Sequence, residues 1–177
     1  MQTQNTGTAI NTIQNYLNIV IETVYNKCGW HLSNLKHHPE GIAYGACSFE
    51  LNGYTIQYRV SKITPTKSGQ FVTIWKRNEA GITEPFSLAD DIDFLVITAT
   101  SGHNFGQFIF PKSVLAQHGI ITSKGKEGKR GIRVYPPWDI VTNKQAANTQ
   151  LWQTKYFLTI NKDRTSDTSL FENLFTK

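Results

Sequence analysis

Asn52-Gly53 sits between two runs of alternating apolar and polar residues, "CSFEL" before it and "YTIQYRV" after it. A two-residue hairpin turn of the favoured type needs positive φ at both central positions, and Asn-Gly takes that conformation at least cost. With Leu51 and Tyr54 flanking the turn, Phe49 falls opposite Ile56 and Cys47 opposite Tyr58. One face then carries Cys47, Phe49, Leu51, Tyr54, Ile56, Tyr58 and Val60. The other carries Ser48, Glu50, Thr55, Gln57, Arg59 and Ser61. Alternation this clean predicts an antiparallel pair with one buried and one open side.

The rest of the chain reads around that hairpin. "TPTKSG" (64–69) is turn chemistry and "QFVTIWK" (70–76) a third strand, so 42–76 reads as a meander. Residues 78–91 are an acidic loop. "FLVITAT" (94–100) is almost wholly apolar, as a central strand would be, and "FGQFIF" (105–110) pairs back to it across "SGHN". "PKSVLAQHG" is a short helix with Pro111 at its first position and Gly119 past its end. A strand at 132–138 stops at two prolines, Asn143 caps a helix through about Gln153, and "KYFLTI" follows. Before the hairpin, residues 8–28 place Ile10, Ile13, Leu17, Val20, Ile21, Val24 and Cys28 at helical spacing, with Gly29 as the stop. The expectation is one α+β domain over residues 1–160: a mixed, mainly antiparallel sheet flanked by N- and C-terminal helices. Residues 161–177 read as a polar, loosely ordered tail.

A chain of 177 residues can bury a core without disulfides or a metal. Cys28 and Cys47 form no CxxC and leave no second pair for zinc, so both are expected to be reduced, buried thiols, with no metal and no cofactor. The polar start "MQTQNTGTAINTIQ" has no apolar signal core, and no apolar run approaches the ~18 residues of a membrane span. The expectation is a soluble cytoplasmic protein without membrane contact.

The net charge is +5, and its distribution is uneven. Residues 59–77 hold Arg59, Lys62, Lys67, Lys76 and Arg77 with no acid among them. Residues 112–133 hold Lys112, Lys124, Lys126, Lys129, Arg130 and Arg133 against Glu127 alone. Between them gather Glu79, Glu84, Asp90, Asp91 and Asp93. Two readings fit: acidic and basic loops pair across the surface, or the basic segments form a face that tracks phosphates.

Catalytic signals are weak. "GKEGKRG" lacks the GK[ST] order of a Walker A loop, though its amides could wrap an anion. A metal-dependent nuclease needs paired carboxylates beside a lysine. Glu50 with Gln57 and Arg59, or Asp93 with Gln107, are the candidates, and each lacks a second acid and a lysine at matching spacing. There is no GxSxG elbow, and His37, His38 and His103 read as surface histidines. Trp75, Trp138 and Trp152 could stack bases, but aromatics this abundant belong first to a core.

Three stretches, in order, resemble the bacterial MepB-like family: "SKITPTKSGQFVTIWKR", "GQFIFPKSVL", and "GKRGIRVYPPWD" with "TQLWQTKYF". The resemblance spans roughly residues 40–158. Its matching residues include Lys62, Thr64, Pro65, Lys67, Gly69, Gln70, Trp75, Lys76, Gln107, Pro111, Lys112, Lys129, Arg130, Arg133 and Trp138. It implies a fold similar to type II restriction endonucleases and hence nucleic-acid binding, with no established catalytic set to carry over. The leading expectation is a nucleic-acid-binding protein, DNA before RNA, without catalysis. Arg59, Lys62, Lys67, Lys76, Arg77, Lys112, Lys129, Arg130 and Arg133 would form its basic face. A metal-dependent nuclease and a module for a small anion or a protein are the alternatives.

Overall fold

The computed structural model describes residues 14–161 and 168–175. Its central hairpin forms in the register that the Asn52-Gly53 turn dictates. Asn52 and Gly53 have φ of 51° and 86°. β2 (Cys47–Leu51) and β3 (Tyr54–Val60) pair Leu51 with Tyr54, Phe49 with Ile56 and Cys47 with Tyr58. Around them a six-stranded sheet runs in the order β1-β2-β3-β8-β9-β11. It comprises β1 (Leu32–His37), β8 (Phe94–Ser101), β9 (Asn104–Pro111) and β11 (Phe157–Thr159) beside the hairpin. Every pairing is antiparallel except β3 with β8. The molecule is thus an α+β domain with a mixed, mainly antiparallel sheet.

Parallel strands cannot be joined by a tight turn, so the chain between β3 and β8 must cross over one face. That crossover corrects the expected meander. β4 (Lys62–Thr64) and β5 (Lys67–Thr73) do not extend the central sheet. They join β10 (Gly131–Val134) in a separate three-stranded sheet, order β10-β5-β4. The run 70–76 breaks at Ile74, and β6 (Trp75–Arg77) pairs with β7 (Thr83–Pro85) instead. The period-2 pattern was legible, but the partner of each strand was not.

The central sheet is covered on both sides. One face packs on α1 (14–20), which continues through a π turn, Ile21–Tyr25, and on α4 (Ser169–Phe175). Leu17, Val20 and Val24 from the first meet Phe49, Ile56, Val96 and Ile109 from the sheet, and Phe171 and Phe175 from the second. The helix expected over 8–28 is present from residue 14, and its residues 8–13 lie outside those described. Within the stretch expected as a loose tail, α4 is ordered and packed: Leu170, Phe171, Leu174 and Phe175 share a helical face and Phe171 is fully buried, while residues 162–167 and 176–177 lie outside those described.

The other face packs on the crossover. Val72, Ile74, Phe86 and Ile92 cover Leu95, Ile97, Phe108 and Phe110, together with α2 (Lys112–Gln117) and α3 (Lys144–Gln153). Asn143 caps α3 by accepting the Ala146 N–H at 2.8 Å. Burial on both faces explains the unbroken apolar run of β8. It also corrects the open side of the hairpin. Glu50 stays exposed, but Arg59 and Ser61 are buried where the crossover lies over β3. Cys47 is buried, and Cys28 is half-buried with its thiol toward Glu172; both are free.

Candidate nucleic-acid interface

The outward face of the small sheet is built from alternate residues of three short strands. Cross-strand register puts Lys62, Phe71 and Arg133 in one row, a half-buried ring between two cations. Inward, Val72, Ile132 and Val134 anchor the sheet in the core. Two glycines let aromatic rings lie flat on the outer face. A Cβ on Gly69 would stand 2.5 Å from the Tyr135 ring, and one on Gly131 would stand 2.7 Å from the Phe71 ring. Tyr44 packs edge-on to Phe71 at 6.1 Å, and the Lys62 ammonium lies 4.8 Å from the centre of the Tyr44 ring.

Arg133 holds this layer in place. Its Nη1 donates to the Ser68 and Gly69 carbonyls, each at 3.1 Å, and its Nη2 donates to Thr64 Oγ1 at 2.7 Å. Lys67, at the β4–β5 turn, is exposed, and its ammonium has no ion-pair partner among the described residues. No Asp or Glu stands in β4, β5 or β10. The face therefore offers Lys62, Lys67 and Arg133 with Tyr44, Phe71 and Tyr135.

The remaining basic candidates lie elsewhere, and several of their expected roles need correction. Arg59 is 4% exposed; it donates to the Tyr58 carbonyl and lies 6.0 Å from the Phe86 ring centre. Burial lowers its pKa to about 10, which still leaves it charged near neutrality. Lys76 is not unpaired: it bridges Glu84 at 3.0 Å and Asp90 at 2.5 Å, and the Asp90 bond raises its pKa. Arg77 caps the β6–β7 hairpin through the Gly81 carbonyl and lies over Trp75. Lys112 donates to the Asp90 carbonyl, and Arg130 bonds Glu127 and the Thr83 carbonyl. Carboxylates thus neutralise Lys76 and Arg130 locally, whereas Arg77 and Lys112 are anchored by backbone carbonyls. Lys129 is exposed near β10.

The glycine-rich loop is not an open anion nest. Lys126 N–H donates to the Ser123 carbonyl, Gly128 N–H to Thr122 Oγ1 and Lys129 N–H to the Ile120 carbonyl. Three of its amides are thus used within the fold.

The weak catalytic candidates separate in an informative way. Gln107 is fully buried in a polar chain within the core. It accepts from the Tyr25 hydroxyl at 3.2 Å and donates to Thr98 Oγ1 at 3.0 Å, and Thr98 meets the Tyr58 hydroxyl at 2.8 Å. Its partner strand places it opposite Thr98, far along β9 from Asp93. Burial raises the pKa of both tyrosines, so the chain stays neutral. The pairing does align Glu50 on β2, Thr55 on β3, Asp93 just before β8 and Lys112 at the start of α2, a row that sequence spacing could not reveal. Asp93 serves the fold there: Oδ2 accepts the Thr55 N–H at 2.9 Å, and its carbonyl accepts the Lys112 N–H. Among the described residues, no group of three His, Cys, Asp or Glu side chains could hold a metal ion. Nor is any described helix long and apolar enough to cross a membrane.

A family model described as MepB-like matches residues 38–159. No curated protein matches the chain. A crystal structure of MepB is 38% identical to it with a TM-score of 0.70, over 72% of this chain and 86% of that one. The structure of a bacterial homing endonuclease superposes with a TM-score of 0.44 at 16% identity, over 82% of each chain, too slight a likeness to carry an argument. The matched span contains the whole three-stranded sheet with Lys62, Lys67, Phe71 and Arg133, and the chain belongs to the MepB-like family.

Proposed function

We propose that the protein binds nucleic acid, DNA before RNA, through the outer face of the three-stranded sheet, and performs no chemistry on it. The row Lys62–Phe71–Arg133 carries the reading. Phosphates need lysine or arginine on an acid-free surface, and bases need exposed rings on which to stack. Lys67 extends the row at the sheet's turn, and Lys129 adds a cation near its other edge. Lys76 and Arg130 take no part, because carboxylates already hold them, and Arg77 and Lys112 stand on other elements, β6 and the start of α2. A relation of this fold to restriction endonucleases belongs to the same proposal and rests on the sequence resemblance. A cytoplasmic location is part of the proposal.

The test is fluorescence anisotropy on labelled single-stranded and duplex DNA at several salt concentrations. Three or four phosphate contacts give log affinity a slope of roughly −3 against log salt on duplex DNA. No binding at low salt, or binding indifferent to salt, would refute the proposal in favour of a small-anion or protein ligand. The same samples with Mg²⁺ should return the oligonucleotide intact. Cleavage that Glu50→Gln abolishes would establish the nuclease reading instead.

A further inference from the structure

Among the described residues, Arg59 is the only buried cation, and no carboxylate pairs with it. Its Nη1 donates to the Tyr58 carbonyl at 2.7 Å. Nε and Nη2 form the edge that grips an oxyanion through two parallel hydrogen bonds, and neither has a partner among the described residues. Were either nitrogen sealed from solvent, it would be an orphaned buried donor. The orphan among the described residues is Trp138 Nε1, so the free edge of Arg59 reaches the surface through a narrow opening. A buried, unpaired guanidinium is costly, and with a pKa of about 10 it does not escape the cost by losing its proton near neutrality.

Its neighbours supply further donors. Ser48 pairs with Gln57 across β2 and β3, and Arg59 is the next residue on that face of β3. His38 prolongs β1 beside them: its N–H donates to the Ala46 carbonyl at 2.8 Å, and its Nε2 lies 3.0 Å from Ser48 Oγ. Burial and the charge of Arg59 both favour the neutral ring. A neutral ring donating from Nε2 leaves the Ser48 proton free to point elsewhere. Gln57 is half-buried, and its side-chain amide has no partner among the described residues. Glu40, in the turn Pro39–Tyr44, is the acid whose field reaches the guanidinium; it is exposed and makes no ion pair with it.

We infer that Arg59, Ser48 and Gln57 form a site for a phosphate group, carried by the free ion or by the end of a small monoester, with His38 orienting the Ser48 hydroxyl. The anion supplies the counter-charge that the buried guanidinium lacks. The guanidinium edge takes two oxygens. A planar carboxylate has no other, whereas a tetrahedral phosphate presents a third to the hydroxyl and the amide. With Arg59 only 4% exposed, a phosphodiester flanked by a sugar on each side is too bulky for the opening. The site is therefore separate from the sheet face of Lys62 and Lys67 and does not rest on the nucleic-acid reading.

The test titrates inorganic phosphate, and separately methyl phosphate, into ¹⁵N-labelled protein while sodium chloride holds the ionic strength constant. The Arg59 Nε–H and His38 ring signals should shift and saturate in the millimolar range. Ser48→Ala should raise the half-saturating concentration about tenfold, as loss of one hydrogen bond to a charged group allows. Arg59→Met should abolish the saturable shift of His38. Glu40→Gln, which removes a repelling charge from an exposed position, should lower the half-saturating concentration. Saturation by phosphate alone supports the site and assigns the free ion; saturation by both probes supports it and assigns a monoester end. No saturable shift with either probe would overturn the inference. So would a folded Ser48→Ala or Arg59→Met that binds as the wild type does. If Arg59→Met does not fold, Ser48→Ala and Glu40→Gln still decide. Lys62→Ala/Lys67→Ala must titrate as the wild type does; loss of the shift there would move the phosphate to the sheet face and overturn the inference.

Discussion

Arg133 Nη2 donates to Thr64 Oγ1 at 2.7 Å, so a side chain from one edge strand of the small sheet reaches the other edge across β5. The same guanidinium takes the Ser68 and Gly69 carbonyls. It organises the face and charges it at once. Lysine would keep the charge but cannot make the planar fork. Arg133→Lys is therefore expected to cost about 1–2 kcal/mol of stability in urea unfolding while leaving the salt slope of binding unchanged. Arg133→Ala should lower both. Equal salt slopes for wild type and Arg133→Ala would remove this residue from the interface.

Lys76 makes the opposite case. It stands in the most basic stretch of the chain, yet Glu84 and Asp90 hold it. Partly exposed pairs contribute about 0–1 kcal/mol. Lys76→Ala should change stability by no more than that and should leave nucleic-acid affinity unaltered. A flattened salt slope would mean that the lysine leaves its carboxylates for phosphate.

Gly69 and Gly131 both lie beneath aromatic rings, but they should respond differently to a methyl group. At Gly69 the backbone has φ of 74°, and a Cβ would also approach the Val134 carbonyl to 2.9 Å. At Gly131 the nearest atoms are the far end of the Phe71 ring, which can shift, and the Val72 carbonyl stands farther off, at 3.2 Å. Gly69→Ala should cost about 1–3 kcal/mol, and Gly131→Ala clearly less. Melting curves of the two variants check the order, and a reversed order would contradict this account of the layer.

His38 and His118 both have lowered pKa values, chiefly through burial; Arg59 adds repulsion at His38. The folded state thus binds fewer protons than the unfolded chain around the ordinary histidine value of about 6.5. Their contribution is fully present above that value and is lost as pH falls through the folded values. Melting temperature should hold steady from about pH 8 to 7 and decline below about 6. His38→Gln/His118→Gln should reduce the decline between about pH 6.5 and 5. An undiminished decline would assign it to other groups.

Local pairing was legible and long-range assembly was not. Asn52-Gly53 with its alternating flanks dictated five cross-strand pairs, because turn geometry and burial both specify register. Asn143 announced the cap of α3 for the same local reason. Arg59 shows the limit. Its position in the alternation marked it as outward, and only the crossover that links parallel β3 and β8 covers it. β1 escaped because a bulge between Ser33 and Lys36, with Asn34 at φ of 54°, breaks its period. The basic stretch 59–77 likewise divides among a buried arginine, a sheet face and an ion-paired hairpin, a division set by which strands meet. Gln153 gave no signal: its amide bonds the edge of a strand placed beside it by tertiary packing.

The central claim is that Lys62 and Lys67 face phosphates rather than water alone. Each phosphate contact contributes roughly 0.9 to the slope of log affinity against log salt on duplex DNA. The decisive measurement is that slope for Lys62→Ala/Lys67→Ala beside the wild type, with a melting curve to show that the variant is folded. The account predicts weaker binding to every sequence, a slope shallower by ~1–2, and little change in stability, since both side chains are exposed. A folded variant with wild-type affinity and slope would contradict it.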